Sequence, residues 1–171
     1  MPNNTTVRML VTGPDDQVSA LKELITNRED QVEYDNGEKG PNLMDFDRVI
    51  PQPEDVRKTL KDLAVTPLWY TWRNEHWGTK WNSYWQTPDI DEPGRYAIYF
   101  VTAWGPPDPV FMTLAEKFPE CAIHVWWWVE GNYGAEERYQ WSDGHVTAVR
   151  KDHDEDWFET MVVDRTIEET K

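Results

Sequence analysis

Apolar and polar residues alternate at the start of the chain, and the pattern then changes to a helical period. Residues 7–11 have valine or methionine at every second position, which predicts a short strand ending at Gly13-Pro14. Asp15 or Asp16 can cap the helix that follows. The predicted buried stripe of this helix consists of Val18, Leu21 and Ile25.

A second strand and helix are predicted further along the chain. Residues 95–104 are apolar on both faces, so we expect a central strand that ends at Gly105-Pro106-Pro107. Asp108 then caps a helix, with Pro109 at its first position. The predicted buried stripe of that helix consists of Val110, Leu114 and Phe118.

The region after this helix has the pattern of three more strands. Residues 122–129 predict one strand, and residues 136–141 and 145–150 predict a hairpin joined by a type I′ turn at Asp143-Gly144. Because side chains alternate along a strand, we interpret Trp127 as core and place Trp126 and Trp128 on the other face. If that face is open, Trp126 or Trp128 would join Tyr139 or Trp141 in an exposed aromatic surface.

Residues 28–48 are polar and show no sustained period. Turn signals at Asp35-Asn36-Gly37 and Gly40-Pro41 indicate a long excursion from the domain. Pro51 and Pro53 then introduce a second helix. Its predicted apolar stripe consists of Val56, Leu60 and Leu63.

The stretch from Leu68 to Trp85 is aromatic on helical spacing, but its phase changes at Gly78. The first face consists of Trp69, Trp72 and His76, and the second consists of Trp77, Trp81 and Trp85. Two short helical pieces with a break at Gly78 therefore fit better than one helix. We expect Trp69 and Trp72 to be core.

The order of these elements predicts an α+β fold with a mainly antiparallel sheet covered by helices on one face. Two passes of strand, helix and strand indicate a ferredoxin-like topology. At 171 residues the chain fits one domain over residues 1–171, with the polar excursion inserted and an acidic tail at residues 152–171.

Three short motifs carry a family resemblance. They are Trp77-Gly78-Thr79-Lys80-Trp81, the segment Thr102–Pro107 and the segment Phe46–Pro51, and residues 1–3 and 10–14 add to the likeness. Over residues 1 to about 130, the chain resembles the YubB-type ferredoxin-like family of phage and plasmid proteins. The resemblance implies the ferredoxin-like fold and an origin in a mobile element, and it implies no reaction.

Composition narrows the functions that this fold could serve. Eleven tryptophans occur in the chain, and the formal net charge is −15. Such a charge repels phosphate backbones and anionic lipid, so we expect no direct binding to duplex DNA and no membrane binding. The same charge attracts proteins with basic surfaces, although solubility alone could also account for it.

Motifs for catalysis, cofactors and metals are not found. The sequence has no phosphate-binding glycine loop, no H-E-x-x-H and no cysteine cluster, and Cys121 is its only cysteine. We therefore assign no catalytic residue, no cofactor and no metal. The start of the chain lacks a signal-peptide pattern, which predicts a cytoplasmic protein.

Residues 77–81 and Trp104 form the candidate binding site. Trp77 and Trp81 could act as stacking walls, with Gly78 and Thr79 as the turn between them and Lys80 as a cation for a phosphate or carboxylate. Trp104 precedes a Gly-Pro-Pro stop and could complete such a pocket. The structural alternative is that both rings of the motif fill the core.

The leading functional hypothesis is a non-enzymatic accessory protein that binds a host protein, such as a nucleic-acid-directed defence factor, by presenting carboxylates in place of phosphates. The acidic residues singled out for this role are Asp152, Asp154, Glu155 and Asp156. The second hypothesis is a ligand-binding domain that recognises a nucleotide or sugar between Trp77, Trp81 and Trp104. The sequence gives no oligomeric state.

Overall fold

The structure is a computed structural model that describes residues 3–58, 68–130 and 133–153. The strands in these ranges are β1 (Asn4–Thr12), β2 (Asn27–Glu33), β3 (Lys39–Asn42), β4 (Tyr84–Glu92), β5 (Arg95–Ala103), β6 (Ala122–Val129), β7 (Gly134–Ser142) and β8 (His145–His153). The helices are α1 (Asp15–Ile25), α2 (Phe46–Val49), α3 (Glu54–Lys58), α4 (Leu68–His76) and α5 (Asp108–Lys117).

Six strands form one antiparallel sheet in the order β4-β5-β1-β6-β7-β8. The order β4-β5-β1-β6, with α1 following β1 and α5 following β5, is the ferredoxin-like arrangement that the sequence predicts. Strand β1 lies between β5 and β6, and Val7 is opposite Phe100 on one side and Trp127 on the other. The N-terminal strand is therefore part of the sheet's centre.

The core lies between the sheet and its helices. Every second residue of β1 and β6 is buried, which confirms the alternation read from the sequence. Helix α1 buries Val18, Leu21 and Ile25 as predicted, and Trp127 is a core residue. Helix α5 buries Val110 and Leu114, whereas Phe118 is only partly buried against the same cluster.

The polar segment 28–48 contains regular secondary structure, whereas the sequence predicted an excursion without it. Strands β2 and β3 pair antiparallel with a register shift between Asn27 and Gln31, and helix α2 follows. The Asp45 side chain caps α2 by accepting a hydrogen bond from the Asp47 backbone N–H at 3.0 Å. An exposed two-stranded hairpin needs no apolar alternation, so its sequence resembles that of a loop.

The aromatic stretch 68–85 breaks at Gly78 as predicted, but only its first piece is helical. Helix α4 ends at His76, and the second piece forms a turn that leads into β4. Trp69 and Trp72 are half-buried, which corrects the expectation that both are core. Strand β4 is an edge strand with two register shifts and an internal proline, Pro88, so its alternation is interrupted.

Two other local predictions have clear outcomes. Asp143 and Gly144 have φ values of 50° and 84°, which confirms the type I′ turn between β7 and β8. The helix predicted after Pro53 is described only as α3, so its predicted residues Leu60 and Leu63 lie outside the described residues.

Replacing Gly78 by alanine tests the turn that separates α4 from β4. Gly78 has a φ of 79°, and an added Cβ would lie 3.0 Å from Pro109 Cδ and 3.4 Å from the Pro106 carbonyl oxygen. We expect Gly78→Ala to lower the free energy of unfolding by about 2 kcal/mol, because left-handed strain and the steric contact act together.

Gly105→Ala is the matched control for this change. Gly105 lies in the adjoining loop, and an added Cβ would meet nothing within 4 Å. Its free energy of unfolding, measured by urea denaturation, should stay within about 0.5 kcal/mol of the wild type. Equal losses for both variants would show that the Gly78 conformation is unimportant.

Candidate functional site

The turn that begins at Trp77 docks onto the loop that follows β5. The Trp77 backbone N–H donates to the Arg73 carbonyl oxygen at 2.8 Å, which completes the last turn of α4. Gly78 then reverses the chain beside Pro109, and the buried Thr79 hydroxyl donates to the Ala103 carbonyl oxygen at 2.8 Å. The two sequence motifs, residues 77–81 and 102–107, therefore meet in space.

Trp77 is buried, with 1% of its surface exposed, so it cannot act as the wall of a surface pocket. Its indole N–H donates to the Ile50 carbonyl oxygen at 2.9 Å. Its ring makes edge contacts with Phe46 at a centroid distance of 5.9 Å and with Trp72 at 5.7 Å. The structure corrects the expectation for this residue and matches the alternative that it fills the core.

Lys80 and Trp81 of the motif lie at the surface beside Trp104, whereas Thr79 is buried. Lys80 Nζ lies 4.3 Å from the Trp81 ring centroid and 5.7 Å from that of Trp104. Tyr84 contacts Trp81 at a centroid distance of 6.2 Å and Trp85 at 5.3 Å. We call Lys80, Trp81, Tyr84, Trp85 and Trp104 the aromatic patch. Its three tryptophans, Trp81, Trp85 and Trp104, are 38%, 50% and 57% exposed.

Two tryptophans of the aromatic patch have left-handed backbone conformations. The φ values are 47° for Trp85 and 75° for Trp104. A bulky residue in this region costs free energy, of the order of 1–3 kcal/mol. The Trp104 backbone N–H donates to the Asn3 carbonyl oxygen at 3.0 Å, whereas Trp85 lies at a register shift of β4, between the paired residues Tyr84 and Thr87.

Carboxylates flank the aromatic patch on two sides. The Glu130 carboxylate accepts hydrogen bonds from the Asn4 backbone N–H at 3.1 Å and from Asn4 Nδ2 at 3.3 Å. Burial and the nearby charge of Glu130 raise the pKa of Tyr84, whose hydroxyl donates to Asn4 Oδ1. Asp35 lines a cavity of about 250 Å³ together with Trp85.

Trp126 lies on the sheet face away from the core, as expected, whereas Tyr139 does not. The Arg8 guanidinium carbon lies 4.9 Å from the Trp126 ring centroid, and Arg8 Nε donates to Asp89 at 2.9 Å. The His124 ring packs against Trp126 at a centroid distance of 3.8 Å and an interplanar angle of 33°. Tyr139 is buried against α5, so the predicted pairing of Trp126 with this tyrosine is wrong.

A pair of carboxyl groups, the half-buried Asp108 and the buried Glu137, lies where α5 packs on β7. The Tyr139 hydroxyl donates to Asp108 Oδ1 at 3.0 Å and also lies within hydrogen-bond distance of Glu137 Oε2. Burial and the charge of Glu137 raise the pKa of Asp108 to about 6. Asp108 makes no capping hydrogen bond, because Pro107 occupies the N-cap position, and this corrects its predicted role.

Of the four acidic residues predicted to act in the tail, Asp152 is the one that the structure describes. Asp152 is exposed and pairs with Arg150 at 2.7 Å, so its charge is compensated. Asp154, Glu155 and Asp156 lie outside the described residues. Within the described part of the chain, no group of three histidine, cysteine or carboxylate side chains could hold a metal ion.

None of the helices in the described ranges combines the length and apolar composition that crossing a bilayer requires.

Comparisons with known proteins bear on the family and the fold. The sequence model of the family described as "Ferredoxin-like domain in Api92-like protein" matches residues 80–169. The structure is similar to the crystal structure of protein Api92 from Yersinia pseudotuberculosis, with a TM-score of 0.67 and 11% identity over 88% of this chain and 98% of that chain. At this identity the likeness shows the fold alone. No curated protein matches the chain.

Stability should depend on pH through Asp108. Its pKa is about 6 in the folded protein against an ordinary value of 3.8, so the folded state binds the proton more tightly. This contribution is present below about pH 4 and is lost as the pH rises through about 6. Asp108→Asn cannot titrate and should remove it.

Urea denaturation of both proteins between pH 4 and pH 7 measures this effect. The free energy of unfolding of the wild type, relative to Asp108→Asn, should fall by about 1–2 kcal/mol between about pH 4 and pH 6.5 and then stay constant. A difference that does not change with pH would show that Asp108 is not held neutral by its surroundings.

Proposed function

The chain belongs to the family of Api92-like proteins with a ferredoxin-like domain, and we propose that it is a non-enzymatic protein that binds another protein through the aromatic patch. The observation that carries the proposal is the left-handed backbone at Trp85 and Trp104, both of which are at least half exposed. The two rings are not buried in the core, so apolar burial within the chain does not offset the cost of this backbone strain. We infer that a partner protein covers the rings and that burial in the complex offsets the cost.

The composition of the patch fits a protein interface. Tryptophan is among the residues that contribute most binding energy, and Trp81, Trp85 and Trp104 lie within one contiguous group of side chains. Each ring would bury a large apolar area in a partner's pocket. Lys80 and the two flanking carboxylates would form the polar rim.

Distance decides which carboxylates can imitate phosphates for this partner. The aromatic patch lies at the Asn4 end of β1, whereas Asp15 and Asp16 lie beyond its Thr12 end, about 26 Å away along the strand. That is about three Debye lengths at physiological salt. Asp35 and Glu130, which flank the patch, are therefore the carboxylates proposed to pair with basic residues of the partner.

The proposed partner is a host protein with a basic surface, such as a defence factor whose cleft binds nucleic acid. The net charge of −15 supports this choice, because it favours encounter with cationic surfaces and opposes binding to duplex DNA or anionic membranes. The resemblance of residues 46–51, 77–81 and 102–107 to the YubB-type family supports an origin in a phage or plasmid and a cytoplasmic location in its host.

A second candidate function is binding of a nucleotide or sugar at the aromatic patch. The position of Lys80 Nζ between the rings of Trp81 and Trp104 favours it, since a cation between two aromatic walls suits an anionic or polar ring. A thermal shift with nucleotides and sugars, absent in Trp104→Ala, would support this candidate over a protein partner.

Affinity capture from the host, followed by purification of the captured protein, provides the partner for a direct test. The dissociation constant should rise by about tenfold to a hundredfold for Trp85→Ala or Trp104→Ala, because each removes a hot-spot ring. The matched control is Met112→Ala, since Met112 is 44% exposed but lies on α5. A captured protein that binds these tryptophan variants as tightly as the wild type would contradict the proposal.

Salt and charge variants test the electrostatic part separately. The association rate should fall with increasing NaCl, and Asp35→Asn together with Glu130→Gln should lower it by about tenfold at low salt. Asp16→Asn is the control, because Asp16 lies on α1, beyond the Thr12 end of β1. Association that is independent of both salt and the paired substitution would show that the carboxylates do not imitate phosphate.

A further inference from the structure

A cleft of about 370 Å³ lies between β2, α2, α3 and α4, and its lining residues are different from those of the aromatic patch. Charged side chains of both signs line the cleft. Most of them form hydrogen bonds with the side-chain amides of glutamine or asparagine. The volume is within the range of small-molecule sites.

Two cations line the described part of the cleft, Arg57 and Arg73, and Arg73 is the one proposed to bind a ligand. Its Nε and Nη2 atoms donate to Gln52 Oε1 at 3.3 and 3.0 Å, and its guanidinium carbon lies 5.1 Å from the Trp69 ring centroid and 5.0 Å from that of Trp77. Burial lowers the pKa of Arg73. Among residues 3–58, 68–130 and 133–153, no carboxylate forms an ion pair with it. A desolvated guanidinium therefore has only a neutral acceptor.

Gln52 carries an unused donor in the wall of the same cleft. Because Arg73 donates to Oε1, the amide orientation is fixed and Nε2 must face the other way. Gln52 is 5% exposed, and its buried Nε2 has no hydrogen-bond partner. An unsatisfied buried donor costs about 1–3 kcal/mol, so an acceptor supplied by a ligand would recover that loss.

The carboxylates that line the cleft differ in their ion-pair and hydrogen-bond partners. Asp47 pairs with Arg57 and also accepts from the Gln52 backbone N–H at 2.7 Å, so these two charges cancel. Asp30 is exposed on the rim and accepts from Asn42 Nδ2 at 3.0 Å. In the described part of the chain no cation pairs with Asp30. Asp45 also lines the cleft, but it is buried and its carboxylate accepts from Asn27 Nδ2 at 2.8 Å and Asn82 Nδ2 at 2.7 Å. Arg73 and the exposed Asp30 are therefore the charges of the described lining that a ligand could still pair with.

We propose that this cleft binds a small zwitterion with a carboxylate and an ammonium group, such as a free α-amino acid. The ligand carboxylate accepts hydrogen bonds from Arg73 and Gln52, and the ligand ammonium group donates to Asp30. Arginine suits the carboxylate because its planar fork donates two parallel hydrogen bonds. This binding site is independent of the proposed protein partner, which contacts the aromatic patch.

Thermal shift and calorimetric titration of the full chain with the twenty free amino acids provide the first test. We expect saturable binding of at least one amino acid. Its carboxamide and its N-acetyl derivative should each bind about tenfold to a hundredfold more weakly, because each loses one charge-assisted contact. No saturable binding by any amino acid, or equal binding of the blocked derivatives, would overturn the proposal.

Variants locate the binding in this cleft. Asp30→Asn changes an exposed residue and should weaken the free amino acid about tenfold while leaving its N-acetyl derivative unaffected. Arg73→Lys keeps the charge but loses the fork and should weaken both compounds. The control is Arg138→Gln, an exposed arginine on β7 outside the cleft. Unchanged amino acid binding in Asp30→Asn and Arg73→Lys would place the ligand elsewhere and overturn the assignment.

Discussion

The burial of Trp77 is the interaction on which the rest of the surface depends. Its ring packs against Phe46 in the core and its indole N–H is satisfied by the Ile50 carbonyl oxygen. The next two residues are then fixed by the left-handed turn at Gly78 and by the hydrogen bond of Thr79. With one side of the motif held in the core, Lys80 and the ring after it must lie at the surface.

The tryptophans therefore divide according to what holds each backbone. Trp77 and Trp127 are buried and stabilise the fold through apolar area. Trp85 and Trp104 are exposed in a left-handed conformation that most residues avoid. Trp85 lies at a register shift of β4, and the Trp104 backbone N–H donates to the Asn3 carbonyl oxygen. Stability alone would favour glycine or asparagine at both positions, which is why we assign these rings to binding.

Hydrophobic periodicity and turn-forming residues predicted the strands, helices and turns that are regular and half-buried. Residues 7–11 and the break at Gly78 are examples, because alternation or a glycine there has one structural meaning. Strand β4 escaped prediction, since an edge strand with register shifts and Pro88 loses its alternation. In the candidate site, the motif of residues 77–81 was sufficient to identify Lys80 as a binding residue. The positive φ values of two tryptophans could not be predicted, because no sequence pattern marks them. The contact of Arg73 with Gln52 depends on tertiary packing, and no sequence pattern marks it either.

The central claim is that the exposed tryptophans, and not the buried ones, make contact with a protein partner. The indole N–H resonances of the full chain, followed by NMR while the purified captured partner is added, test this claim most directly. We expect shifts or broadening for Trp81, Trp85 and Trp104, with Trp77 and Trp127 unchanged. Binding that leaves those three resonances in place would contradict it.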